Sequence, residues 1–220
     1  SGRLNFYDGT DWWKLLQGFG FYNLYTYQDP PQLEITRSIA AHFPKLKLRS
    51  IYYGSYSGQF GNDKFMCLIP WYALFHNYNG LFWWTANGKT TYPSASGGMA
   101  YPDFRMTRSF KVSKKGIDEI RKGIIQLLAK AKRSDDKIAI FYDQTNVLAA
   151  TAYSNPAYLV KSYESFQDIL EDLGLQYNYL TSSQIDKGIL AQGKYKVLIL
   201  AYTLALSDKA AREIRQFVEE

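Results

Sequence analysis

The sequence predicts an α/β protein with parallel strands, and two observations carry this prediction. Short apolar segments of strand-like composition alternate with helical segments along the chain. In the second half the pattern is more regular, and its strands are expected to be buried, as in sheets that helices cover on both faces. Alternating strands and helices imply parallel pairing through crossover helices. The charged segment 130–137 divides the pattern, and we predict one domain over residues 1–132 and another over 133–220.

The first half contains three predicted strands, each bounded by glycine, proline or asparagine breakers. Helices follow from apolar residues at helical spacing, with Pro70 expected in a first turn and Ser113 expected as an N-cap. The predicted strands are Phe21–Tyr27, Leu48–Tyr53 and Gly80–Thr85, and the predicted helices are Leu33–Phe43, Ile69–His76 and Lys114–Lys132.

The second half repeats the unit more regularly. Its predicted strands are Ile138–Tyr142, Gln176–Leu180 and Lys196–Ala201, and its predicted helices are Pro156–Leu173, Ser183–Leu190 and Asp208–Val218. Repeated strand–helix units with buried strands are typical of a doubly wound sheet. Three strands are few for such a sheet, so we expect that this domain is incomplete and that further strands follow downstream.

The composition favours a ligand that is half apolar and half polar. Aromatic residues make up 17% of the chain, with 19 Tyr, 13 Phe and 5 Trp, and rings with one polar edge suit carbohydrate. The net charge of +6 is concentrated between residues 105 and 137. That stretch has no recognition-helix or aromatic-stacking motif, so a nucleic-acid partner is not expected.

Several other site classes lack their motifs. The single cysteine, Cys67, allows no internal disulfide and no cysteine-cluster metal site. No histidine spacing indicates a metal, and no glycine-rich phosphate loop follows a predicted strand, so neither metal nor cofactor is expected. No apolar run has the length of a membrane span, and no signal pattern opens the chain. The sequence predicts a soluble protein whose compartment stays open.

Two passages carry a family resemblance. The segment Ile69–Trp84, with sequence IPWYALFHNYNGLFWW, resembles the approach to the final barrel strand of β-galactosidase-type glycoside hydrolases, especially family 42. The segment Lys137–Glu220 is similar to the domain that follows that barrel. The resemblance implies the carboxyl-terminal part of a (β/α)8 (TIM) barrel, then an incomplete flavodoxin-like domain. In the family, that second domain has a glutamine-amidotransferase-like fold and serves trimer assembly, which implies a homo-oligomer.

The resemblance also implies a carbohydrate cleft. Active sites of such barrels lie at the carboxyl ends of the strands. Neighbouring residues of a strand point to opposite faces, so only one tryptophan of the pair at 83 and 84 is expected in the lumen. The expected substrate-binding residues are Trp84, Trp83, Tyr53, Tyr25 and Tyr56.

Catalysis by a retaining glycosidase requires two carboxyl groups. The family's acid/base lies on an earlier strand that this chain does not contain, and segment 50–56, where the nucleophile is expected, has no Glu or Asp. Asp63 and Glu34 are the remaining candidates. Two hypotheses stay open: a fragment of a glycoside hydrolase, or a non-catalytic carbohydrate-binding or assembly scaffold. Open barrel strands expose unpaired backbone, so we expect them to pair with the missing remainder of the polypeptide, to pair with another copy, or to rearrange into a smaller sheet.

Overall fold

The computed structural model describes residues 10–24, 30–54, 63–84, 86, 98–101 and 103–219. The chain divides into two compact units. The first-sheet unit comprises Gly20–Gln28 and Leu46–Lys132, and the second-sheet unit comprises Ser1–Phe19, Asp29–Lys45 and Arg133–Glu220. Each unit holds a three-stranded sheet, and every strand pair in both sheets is parallel. The predicted α/β class with parallel sheets is confirmed.

The first sheet follows the order of the chain. Its strands are β1 (Phe21–Leu24), β2 (Leu48–Gly54) and β3 (Gly80–Trp84), and their spatial order is β1-β2-β3. β1 is shorter than predicted, because Tyr25–Tyr27 lie outside the described residues. Since each strand is added beside its predecessor, the connections all advance in one direction, as they do in a barrel.

Two helices of the first-sheet unit pack closely on each other. They are α3 (Asp63–Phe75) and α4 (Arg108–Glu119). α3 begins at Asp63, so Pro70 lies inside the helix and not in its first turn as predicted. The predicted N-cap at Ser113 is also wrong, because Thr107 caps α4 by accepting a hydrogen bond from the Phe110 amide at 3.3 Å. The observed N-cap therefore lies six residues before the predicted one.

A kink follows α4. A π-helical turn (Ile120–Ile124) joins it to α5 (Ile125–Lys130), and Lys122 and Gly123 depart from helical geometry. Gly123 has φ 125°, a conformation that favours glycine. The predicted continuous helix Lys114–Lys132 is therefore broken into two helices at this glycine.

The second sheet has a different order. Its strands are β4 (Ile138–Phe141), β5 (Tyr177–Leu180) and β6 (Val197–Ile199), arranged β5-β4-β6. The first strand of this sheet is therefore central, and the chain leaves it in one direction and returns on the other side. All four residues of β4 are buried, as expected for a strand with packing on both faces.

Helices of the second-sheet unit come before, between and after these strands in the sequence. They are α1 (Trp12–Gln17), α2 (Pro30–Ala40), α6 (Gln144–Tyr153), α7 (Pro156–Asp172), α8 (Ser182–Ile185) and α9 (Asp208–Glu219). The sequence interpretation missed α1 and α6, although Asp11 and Asp143 accept hydrogen bonds from amides of their first turns as N-caps. It also placed α1 and α2 in the domain 1–132, whereas their contacts are with the second-sheet unit. The boundary at residue 132 stays a prediction.

Side chains of α2 form hydrogen bonds with backbone groups at the outer edge of β5. The Arg37 guanidinium donates to the Tyr177 carbonyl at 2.9 Å, and the Tyr179 amide donates to the Ser38 hydroxyl at 2.9 Å. Side chains of a helix thus satisfy backbone groups that an edge strand would otherwise expose. Within the described part of the chain, no helix is both long and apolar enough to span a membrane.

Candidate functional site

The carboxyl edge of the first sheet is where the sequence places the sugar cleft. Tyr25 and Tyr56 lie outside the described residues. Tyr53 and Trp84 are described by backbone: Tyr53 pairs in register with Trp83, and Trp84 is the last residue of β3, paired with Gly54. The backbone therefore brings Tyr53 and Trp84 to the same edge, at the ends of neighbouring parallel strands.

Trp83 packs on the helix side of the first sheet. Its ring meets Phe110 of α4 edge to face, with centroids 5.3 Å apart, and it packs against the buried side chains of Met66 and Ile69 on α3. The indole is only partly buried. Of the tryptophan pair, Trp83 is thus the one that lies under the helices.

The opposite face of the first sheet is largely open. Phe21, Leu48 and Phe82 are 61%, 44% and 50% exposed, while their strand neighbours Tyr22 and Ile51 on the helix side are buried. In a closed barrel this open face would be the lumen, because helices cover the outside.

Polar groups also lie on this open face. Asn23 and Ser50 are paired in register, and the Ser50 hydroxyl donates to Asn23 Oδ1 at 2.8 Å. Ser50 is buried while Asn23 is exposed. The exposed Asn23 is therefore the polar side chain of this pair that solvent reaches, beside the apolar row of Phe21, Leu48 and Phe82.

Asp63 is held by an arginine. It is the first residue of α3, and its Oδ2 accepts a hydrogen bond from Arg108 of α4 at 2.8 Å. Both side chains are largely exposed, at 44% for Asp63 and 80% for Arg108. Hydrogen bonding to Asp63 raises the pKa of Arg108. The carboxylate is accessible to solvent, and its ion pair joins the first turns of two helices.

Glu34 lies in the second-sheet unit as part of a buried ionic cluster. Its side chain is fully buried, and its oxygens accept from Arg37 at 2.7 Å and from Arg133 at 3.2 Å. Burial raises the pKa of the nearby Tyr177 hydroxyl, and the negative charge of Glu34 raises it further. The geometry is that of a carboxylate that holds α2 and the segment before β4 in place.

A cavity of about 300 Å³ lies at the carboxyl edge of the second sheet. It is lined by segment 142–145 after β4, segment 181–183 after β5 and segment 205–207 after β6, together with Asp11, Trp13 and Lys14. Sequence reasoning missed this cavity. The available signal was a polar residue in the segment after each strand: Asp143 two residues after β4, Thr181 directly after β5 and Ser207 eight residues after β6.

A larger cavity of about 640 Å³ lies in the first-sheet unit, near the amino end of β3. Its wall is mainly apolar and comes from α3, β3, α4 and α5, with Arg49, Arg121 and two asparagines as the polar members. In a barrel this is the end opposite to the catalytic face, so it is not the cleft that the sequence predicted.

Among the described residues, no group of three or more His, Cys, Asp or Glu could hold a metal ion. Cys67 is a free thiol. The described polar groups at the carboxyl edge of the second sheet are hydroxyls, the amide of Gln144, the carboxylate of Asp143 and the ion pair of Asp11 with Lys14.

Comparisons with solved structures identify glycoside hydrolases as similar folds. A β-galactosidase from the psychrophilic Marinomonas ef1 matches with a TM-score of 0.67 at 12% identity, over 93% of this chain and 36% of its own. A polyextremophilic β-galactosidase from the Antarctic haloarchaeon Halorubrum lacusprofundi matches with a TM-score of 0.62 at 12% identity, over 86% of this chain and 28% of its own. A GH5_18 protein from Streptomyces cattleya in complex with GlcNAc matches at 0.51 and 12% identity, over 84% and 50%.

These matches support a glycoside-hydrolase-like fold. No protein-family model matches the chain, and no curated protein matches it. The chain spans about a third of the length of the two β-galactosidases that it resembles. At 12% identity the likeness concerns the fold alone. The assignment to family 42, the flavodoxin-like domain and its assembly role are proposals.

Proposed function

We propose that the chain forms part of a carbohydrate cleft of the glycoside-hydrolase type, acting on or binding β-galactosides or related glycans, with the second-sheet unit in a structural role. The observation that carries the proposal is the first sheet itself. It is parallel, its strands follow in chain order, helices pack on one face, and the other face is open. That is the arrangement of consecutive staves of a (β/α) barrel, and the two β-galactosidase folds support the same interpretation.

The proposal gives the role of sugar platform to Trp84. Trp83 already packs against Phe110 and the α3 side chains, and successive residues of a strand alternate between faces. Position 84 therefore belongs to the row of Phe82, on the open face. Tyr53 shares the row of its register partner Trp83, so we assign further ring contacts to Tyr25 and Tyr56, which follow β1 and β2 in the sequence.

The resemblance to family 42 supports a structural role for the second-sheet unit. A flavodoxin-like, amidotransferase-like domain would have no chemistry of its own here, because it has no cysteine and no glycine-rich phosphate loop after β4. Its proposed role is assembly in a homo-oligomer. Sedimentation of the chain would show whether it self-associates.

Binding of lactose and of a panel of β-linked glycans by the chain, measured by calorimetry, tests the cleft. We expect Trp84→Ala to weaken binding about tenfold, because a lost aromatic contact removes about 0.5–1.5 kcal/mol beyond its buried area. Trp71→Ala is the matched control, since Trp71 lies on α3 and stacks on Phe75, and it should bind as the parent chain does. Failure of every glycan to bind, or equal binding by the Trp84 variant, would contradict the proposal.

Hydrolysis of a nitrophenyl β-galactoside separates the enzyme from the scaffold. If the chain has activity and Asp63 carries it, Asp63→Asn abolishes turnover while glycan binding is retained. Binding without turnover in the parent chain would instead assign the role of a non-catalytic carbohydrate-binding scaffold.

A further inference from the structure

We infer that the cavity at the carboxyl edge of the second sheet is a binding site for a small neutral polyhydroxylated ligand, the size of one sugar ring. This site lies wholly within the second-sheet unit and is independent of the proposed cleft on the first sheet. The cavity lies where the strand order reverses, and its wall combines polar groups with an indole.

The place follows from the strand order. In β5-β4-β6 the central strand β4 comes first, so the connections after β4 and β5 run to opposite sides of it. Open parallel sheets bind ligands outside the carboxyl ends of their strands at such a reversal. The cavity is lined by the segments that follow all three strands. Its volume of about 300 Å³ is at the lower end of the range for small-molecule sites, about 300–1,000 Å³, which suits one ring.

An anionic ligand is disfavoured because three of the four helix N-termini at the cavity, those of α1, α6 and α9, are already capped by side chains. Asp143 Oδ1 accepts from the Thr145 amide at 2.8 Å, and Asp11 Oδ1 accepts from the Lys14 amide at 3.1 Å. The Ser207 hydroxyl likewise accepts from the Ala210 amide at 2.9 Å. These side chains occupy amides that would otherwise cradle a phosphate, and Asp143 adds negative charge, while the charge of Asp11 is paired with Lys14 at 3.3 Å.

The remaining polar groups suit hydroxyl groups of a ligand. Gln144 lines the cavity, and its amide nitrogen is buried without an acceptor among the described residues. A buried donor without an acceptor is costly, and a ligand oxygen would satisfy it. The side chains of Thr145, Ser182 and Ser183 add hydroxyls that both donate and accept.

The cavity also has an apolar surface. Trp13 and Leu206 line it, and Trp13 is fixed from behind by Phe43, with ring centroids 5.1 Å apart. A sugar ring presents hydroxyls at its rim and C–H groups on its faces, so a wall that combines one indole with hydroxyls and an amide matches it. A purely apolar ligand would leave these polar groups unpaired.

The test uses the whole chain with methyl glycosides of galactose, glucose and mannose as neutral probes and inorganic phosphate as the anionic probe. Ligand-observed NMR and calorimetry measure affinity, and backbone amide shifts locate the site. We expect at least one glycoside to bind and to shift amides in segments 142–145, 181–183 and 205–207. Gln144→Leu should weaken this binding about fivefold or more, the factor that corresponds to one hydrogen bond.

Two further variants keep the test decisive. Gln192→Leu makes the same substitution at an exposed position outside the cavity and should leave affinity unchanged. Ser183→Ala is a smaller change within the cavity. If Gln144→Leu does not fold, the glycoside affinity of Ser183→Ala tests the inference in its place. The inference is overturned if no glycoside binds the parent chain, if both cavity variants bind as well as the parent, or if phosphate binds these segments instead.

Discussion

The two parallel sheets of this protein have three strands each, yet they bury their side chains differently. In β1 of the first sheet burial alternates residue by residue, and Phe21 is exposed while Tyr22 is buried. In β4 of the second sheet every residue is buried. The difference follows from strand order, because a sheet built in chain order receives its helices on one face, whereas a sheet whose order reverses receives them on both.

The comparison also shows why candidate sites occur in different places. A one-sided sheet leaves an open face that can serve as a lumen, so its ligand contacts are expected from residues on that face and at the carboxyl edge. A two-sided sheet has no open face, and its cavity lies at the carboxyl edge beside the reversal. Phe82 lies on the open face of the first sheet, and Gln144 lines the cavity at the carboxyl edge of the second sheet.

The largest expected effect tests the difference in burial directly. Phe141→Ala in β4 should destabilise the second-sheet unit by about 3–5 kcal/mol, because a fully buried phenylalanine leaves a cavity. Phe82→Ala in β3 should destabilise the first-sheet unit by about 1 kcal/mol or less, since half of its surface is already in water. Urea unfolding followed by segment-resolved hydrogen exchange measures both. Equal losses would break the comparison.

Charge burial gives the next largest effect. Glu34→Gln should destabilise the second-sheet unit by about 3 kcal/mol, because it leaves Arg37 buried without its anionic partner. Asp63→Asn on the first-sheet unit is the matched control and should change stability by about 1 kcal/mol or less, because that ion pair is exposed. If Glu34→Gln were neutral in unfolding experiments, the structural role of this carboxylate would be refuted.

Helix packing over the first sheet provides a third measurement. A Cβ at Gly116 would overlap the Cys67 carbonyl of α3, so Gly116→Ala should push α4 away and destabilise the first-sheet unit by about 1–3 kcal/mol. Without such an overlap, replacing glycine by alanine in a helix is expected to stabilise it by about 1 kcal/mol. A loss of stability would therefore report the overlap of the new Cβ with α3. Lys115→Ala, one residue earlier and exposed, should be neutral or slightly stabilising in the same assay.

The smallest expected effect concerns the edge of the second sheet. Ser38→Ala removes the hydroxyl that accepts from the Tyr179 amide, and the loss should be about 1–2 kcal/mol. Hydrogen exchange at Tyr179 should accelerate more than exchange at Ile140 in the central strand. Ser165→Ala on the exposed side of α7 serves as the control. Unchanged exchange at Tyr179 would show that α2 does not protect this edge.

Much of the architecture could be predicted from local patterns. Apolar segments and their breakers located all six described strands and the parallel class, since these depend on composition over a few residues. Helix starts were predicted less well, as at Thr107 and Asp63, because apolar periodicity does not mark the first turn. The short α1 and the low-periodicity α6 were missed for the same reason.

The candidate sites divided along similar lines. The sequence alone identified the aromatic residues at the strand ends and the rule that Trp83 and Trp84 take opposite faces. It could not say which indole packs under the helices, because that depends on the position of Phe110, 27 residues further on. Glu34 was a candidate acid by residue type, and only tertiary contacts show that two arginines already hold it.

The amino-acid sequence by itself determined the α/β class, the strand segments and the high aromatic content, because propensity and periodicity are local properties. The tertiary structure decided the strand orders, the open face of one sheet and the covered faces of the other, and the cavity where three loops meet. These depend on contacts between residues far apart in the chain, and such contacts are fixed by packing free energy summed over the whole fold.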